Sequence, residues 1–185
     1  YIWPIGDSIW IDPSIFEIVL GLIEEQNYNI ISLNAENRKL EFPSNAYTNS
    51  NEVLLKFGWH LNLMGATIYS KKAVSFISDI DFLKCKNFPH FFLIFSYLSN
   101  SPSFYWINRK AIGSIPKKSY WLGDTFEVFI DDWSRVVCNL PDNYNSGIKE
   151  SAIIAHSMNA NIFSIKSMFY LRGLGHYDYE KHKQY

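Results

Sequence analysis

Cysteine is scarce in this chain, and so is any excess of charge of one sign. The two cysteines, Cys85 and Cys138, stand far apart with no second pair, which fits neither a disulfide framework nor a zinc-ligand spacing, so both read as reduced core residues. The formal net charge is −1 with a sequence pI near 6.6, and the lysines are scattered, so no basic field is available to grip a nucleic-acid backbone. Long hydrophobic runs are also missing. The most apolar stretch, Phe88 to Leu98, is about half of the ~20 residues a helix needs to cross a bilayer. No glycine-rich phosphate loop, Gly-x-Ser-x-Gly elbow or His-Glu-x-x-His pair occurs, which removes the common nucleotide, hydrolase and zinc-peptidase signatures. Internal repeats and low-complexity tracts are absent as well.

What is present is apolar bulk. Hydrophobic residues make up 48% of 185 positions and aromatics 17%, enough to bury a sizeable core, and a single mixed α/β domain is expected. Tyr1 to Ile11 reads as a buried strand that delivers Asp7 to its edge at the turn Gly6-Asp7-Ser8, which implies that the chain begins inside an element of a longer protein. Asp12-Pro13 caps and starts a helix, Ile15 to Glu25, apolar almost all round and expected to be largely buried. Asn29 to Asn34 reads as a strand, Ala35 to Asn49 as an exposed loop, and Ser50 or Asn51 as the cap of a helix reaching about His60. Leu63 to Ser70 turns into another strand, and Lys71 to Ile77 is a short helix. Pro89 opens a very apolar helix, Phe91 to Leu98. Ile107 to Ser119 reads as loop, and Tyr120 to Leu140 is helical or mixed. Late helices run over about Ile148 to Met158 and Ile162 to Leu171, with Gly173 placed for a left-handed cap.

Four segments in this order carry a resemblance: Gly6-Asp7-Ser8 before a proline-started helix, Met64-Gly65-Ala66-Thr67-Ile68-Tyr69-Ser70-Lys71, Leu140-Pro141-Asp142-Asn143-Tyr144, and Phe163 to Gly173 with its Arg-Gly close. Together they resemble the second half of bacterial family 2 glycosyltransferases of the GT-A fold. The resemblance implies a mixed sheet flanked by helices, with the nucleotide-binding half missing from the N-terminal side. It implies transfer of a sugar from a nucleotide-sugar to a glycan or lipid-linked acceptor in cell-surface polysaccharide synthesis, at a cytoplasmic location that leaves open peripheral association with the inner face of the membrane.

In that family an acidic turn meets the donor diphosphate through a divalent cation, Mn²⁺ or Mg²⁺. Asp7 matches its first acidic position, whereas Ser8 and Ile9 stand where further aspartates are usual. Three alternatives stay open: Asp7 holds the cation with water and phosphate oxygens, the site works without metal, or the domain is a noncatalytic glycan-binding or partner-binding module. His156 is the candidate second metal ligand by position. For the general base that deprotonates the acceptor, the matching stretch Asn87-Phe88-Pro89-His90 lacks an acidic pair and offers His90, with Asp79 and Asp81 as competitors. Trp59, His60 and Gly65 are expected to line the acceptor side, and Lys149 and Arg172 to touch phosphate oxygens. Asp131-Asp132-Trp133 reads as a core tryptophan beside water-facing carboxylates.

Overall fold

A computed structural model describes residues 1–25, 27–115, 120–161, 163–176 and 179–183. The architecture is mixed α/β, a curled mixed sheet flanked by helices. Five strands are β1 (Ile9–Ile11), β2 (Ile30–Ala35), β3 (Asn45–Tyr47), β4 (Thr67–Tyr69) and β5 (Phe104–Ser114). β2 is parallel to β5 and antiparallel to β4; on its other side β5 pairs antiparallel with β3 at its start and β1 at its end.

Every residue of β2 is buried, because both faces of the sheet are covered. Ile31, Leu33 and Ala35 face a cluster built with α1 (Phe16–Glu24), where Ile15, Val19 and Leu22 pack on Ile68, Ile107 and Ile112. Ile30 joins the larger opposite core, made by α2 (Ser50–Phe57), α3 (Lys71–Ser75), α4 (Pro89–Asn100), α5 (Trp133–Cys138) and α6 (Ser146–Ala160). Eight consecutive residues of α4, Phe91 to Leu98, are buried, as its all-round apolar sequence requires. The C-terminal elements are α7 (Ile165–Gly173) and the short α8 (Tyr179–His182).

Several boundaries follow the sequence reading for the expected reasons. Asp12 accepts from Ser14 N–H at 3.0 Å and Pro13 opens a 3₁₀ turn into α1. Asn49 caps α2, one residue before the expected cap, by accepting from the Asn51 and Glu52 amides.

Other expectations are corrected. Tyr1 to Ile11 is not one strand: Ile2 makes an isolated bridge to Tyr69, and Asp7 lies in a turn ahead of β1 rather than at a strand end. Pro4 cannot donate to a ladder, and Trp3 spends its indole N–H on Gly65 O at 2.8 Å. α1 is not largely buried, since Phe16, Ile18 and Leu20 face outward. The segment taken as loop after Ala35 contains β3, and residues 107–114 belong to β5. There the polar trio Asn108-Arg109-Lys110 hides a bulge: Leu33 pairs with Ile107, Asn34 with Lys110 and Ala35 with Ile112. Asn34 fills the irregularity, donating to Leu40 O at 2.7 Å and Asn108 Oδ1 at 2.9 Å. The remainder of the expected loop, 116–119, lies outside the described residues, as does Ile162. Cys138 is exposed, whereas Cys85 is buried; both are free. The left-handed glycine is Gly175, not Gly173. Among the described residues no helix is long and apolar enough to cross a membrane.

Candidate functional site

A pocket of about 690 Å³ opens between the sheet's helical face and α7. Its walls come from six stretches: Asn37 and Arg38 from the loop after β2; Trp59, Asn62, Leu63 and Met64 after α2; Asn87 to His90 at the start of α4; Leu122, Thr125, Val128 and Phe129 ahead of α5; His156, Asn159 and Ala160 at the end of α6; and Ser167, Tyr170 and Leu171 of α7.

Local structure fixes each group. Arg38 lies with its guanidinium 4.8 Å from the centre of the Trp59 ring and donates to Trp59 O and Asn62 Oδ1, both at 2.8 Å. Burial pulls its pKa down to about 10, the mark of a cation partly withdrawn from water. His90 follows the helix-starting Pro89, and its Nε2 stands 2.8 Å from Asn62 O. A carbonyl only accepts, so Nε2 carries the hydrogen and Nδ1 keeps a lone pair in the neutral ring. Burial lowers the His90 pKa against the opposing effect of that bond, which keeps the ring neutral at physiological pH.

His156 sits on α6 with 1% exposure, stacked on Trp133 and on Phe129. Phe129 belongs to a π-helical run, Glu127–Asp132, that rotates this side chain onto the imidazole. Among the described residues neither ring nitrogen of His156 has a hydrogen-bond partner. Burial, reinforced by the positive charge of Arg38, pushes its pKa down to about 3.

The structure therefore gathers Trp59, His90 and His156 around one pocket and leaves the other candidates elsewhere. His60 is fully buried behind it, with Nε2 donating to Leu33 O at 2.8 Å and its ring edge-on to Trp106. Gly65 packs against Ile9, whose Cγ1 would stand 3.3 Å from an added Cβ, so its missing side chain serves strand packing. Asp7 is exposed on its turn. Asp79 accepts from Ser78, and Asp81 caps the Leu83 amide and pairs with Lys84 at 3.6 Å, both on the surface and outside the pocket wall. Lys149 donates to Cys138 O and Leu140 O, closing the end of α5. Arg172 is exposed on α7 and faces a second, mostly apolar pocket with Ile165 and Phe169.

Trp133 is core as expected. Asp132 beside it does not face water: it is 3% exposed, accepts from Asn87 Nδ2 at 2.6 Å and pairs with Arg135 at 3.3 Å.

Comparison of the chain with protein-family models, curated proteins and solved structures returns no match.

His156 lies in a wall that also carries Arg38, whose charge opposes a second cation, and Asp7 is not among the pocket-lining residues. Among the described residues no three His, Cys, Asp or Glu side chains stand together as a metal site. The pair Asp7 and His156 therefore does not fit a shared ion.

Arg38, Asn62 and Phe129 are pocket residues that the sequence does not single out. Arg38 stands in an Asn-Arg-Lys run that reads as solvated loop; only the fold brings it over Trp59.

Proposed function

We propose that this chain is the acceptor-side part of a GT-A-type glycosyltransferase that moves a sugar from a nucleotide-sugar to a glycan or lipid-linked acceptor. The observation that carries this reading is His90 at the mouth of α4, a neutral imidazole with its Nδ1 lone pair left over, in a pocket that also offers several amides. Asn62, Asn87 and Asn159 line it as well, each with one end of its amide bonded to the protein and the other left for a hydroxyl.

In the reaction the acceptor hydroxyl oxygen attacks the anomeric carbon, the bond from that carbon to the diphosphate oxygen breaks, and the nucleoside diphosphate leaves with the electron pair. The hydroxyl proton passes to His90 Nδ1, which generates an imidazolium still donating from Nε2 to Asn62 O. Asp7 is the group assigned to the donor diphosphate, with a cation held by water and phosphate oxygens as the version to be tested.

A second reading, a noncatalytic glycan-binding module, is favoured by one observation: no Asp or Glu lines the pocket among the described residues. Calorimetric titration of UDP and GDP, with and without Mn²⁺, into this chain joined to the nucleotide-binding half that the transferase reading requires, and into the Asp7→Ala form of that protein, separates the two. Binding that is lost in the variant supports transfer. Glycan binding with no nucleotide binding in either form supports the module and removes the transferase reading.

A further inference from the structure

Among the described residues Arg38 has no counter-ion. Its contacts are the Trp59 carbonyl, the Asn62 amide oxygen and the Trp59 ring, and no carboxylate lies within ion-pair distance of it among the described residues. Two of its five N–H groups are used by those bonds, which leaves three. A guanidinium partly taken out of water is ordinarily matched by an anion, because desolvating an unpaired charge is costly.

A second observation points the same way. His156 lines the same pocket with both ring nitrogens unpartnered, and a neutral imidazole must carry one N–H, so a buried donor faces no acceptor. Leaving such a donor unmade carries the full cost of taking it out of water. The wall between these groups holds amide side chains and His90 but no acidic residue among the described residues. The surplus is therefore in donors and positive charge, on a cavity large enough for a sugar.

We infer that this pocket binds a sugar-sized ligand bearing an oxyanion, a carboxylate or a phosphate, held by the N–H groups of the Arg38 guanidinium that Trp59 O and Asn62 Oδ1 leave unused. The inference deepens the acceptor reading, and rests on it only in assigning the ligand to the acceptor; the anion site itself stands on Arg38, His156 and the pocket. A bidentate Arg–oxyanion pair gives orientation as well as energy, which an uncharged sugar could not draw from the same wall.

The test is a calorimetric titration of glucuronate, glucose 1-phosphate and glucose into the wild-type chain and its Arg38→Gln and Arg38→Lys variants, with folding of each checked by circular dichroism. At least one anion is expected to bind about tenfold or more tightly than glucose, a gap of about 1.4 kcal/mol. That preference should shrink when ionic strength is raised from about 0.05 to about 0.5 M. Arg38→Gln should abolish it, and Arg38→Lys, which keeps the charge and loses the fork, should retain part. Glucuronate alone assigns a carboxylate and glucose 1-phosphate alone a phosphate. Equal binding of glucose and both anions, no anion binding up to about 10 mM, or unchanged anion binding by a folded Arg38→Gln would overturn the inference. Were Arg38→Gln unable to fold, the salt dependence and Arg38→Lys decide it. Each of these three negative results leaves the transferase reading intact, since that reading turns on the Asp7-dependent nucleotide titration.

Discussion

The imidazole of His156 lies almost parallel to the indole of Trp133, ring centres 4.5 Å apart and planes 28° from parallel. With Phe129 stacked at 5.3 Å as well, the histidine occupies a slot that an aromatic hydrocarbon would fill without an unsatisfied N–H. His156→Phe is therefore expected to stabilise the fold by about 1–2 kcal/mol, and to weaken any ligand that accepts from the imidazole. Urea denaturation of the two proteins checks the first part. A loss of stability would mean that the nitrogens are satisfied in solution.

Acid should be costly for the same reason. Burial depresses His60 and His156 to about 3, below the 6.5 of an unfolded chain. Between those values the unfolded state binds more protons, so stability is whole above pH 6.5 and falls as pH drops toward 3. The slope is at most about 1.4 kcal/mol per pH unit for each histidine. Denaturation midpoints at pH 7, 6 and 5 should fall in step, and His156→Phe should remove about half of the slope.

Gly113 stands opposite Trp10 across β1 and β5, and an added Cβ would come within 2.4 Å of the indole. Gly113→Ala must push the ring off the strand. The expected loss is about 1–3 kcal/mol, read by thermal unfolding, whereas Gly21→Ala on α1, where the added carbon meets nothing within 4 Å, should be neutral or slightly stabilising.

Trp133 is fully buried against Phe88, Phe91 and His156. Trp133→Ala should cost about 3–5 kcal/mol, with the unfolding midpoint falling accordingly.

Should the protein transfer sugar, His90→Gln, which preserves a donor toward Asn62 O but cannot accept a proton, is expected to lower kcat by about 10²–10⁴-fold with KM little changed. Steady-state rates with a fixed donor measure it. An unchanged rate would remove His90 as the base.

Elements with strong local signals were legible. The run Asn29 to Asn34 foretold β2, Pro89 foretold α4, and Asp12-Pro13 foretold the start of α1. β5 was not, because its apolar ends are separated by Asn108-Arg109-Lys110 and the bulge that absorbs them depends on a partner strand far away in sequence. α1 misled in the other direction: an apolar surround says that a helix should be covered, but not which of its faces this chain covers. The pocket was legible only in part. Trp59, His90 and His156 could be named one by one, while Arg38 gained its meaning from a tryptophan and an asparagine that no fixed spacing ties to it.

The placement of β5 also bears on how the chain assembles. β1, β2 and β3 all take their main pairing from it, yet its start meets β2 only across a long gap, Asn29 N–H donating to Ser103 Oγ with 74 positions between them. Closing so large a loop before any parallel pairing rewards it makes for a slow step, on the millisecond-to-second side for a domain of this kind. During synthesis α4, with eight consecutive residues that the finished fold buries, leaves the ribosome before β5 and waits without that strand. That interval is when the nascent chain is most exposed to aggregation, and where a chaperone would have most to do.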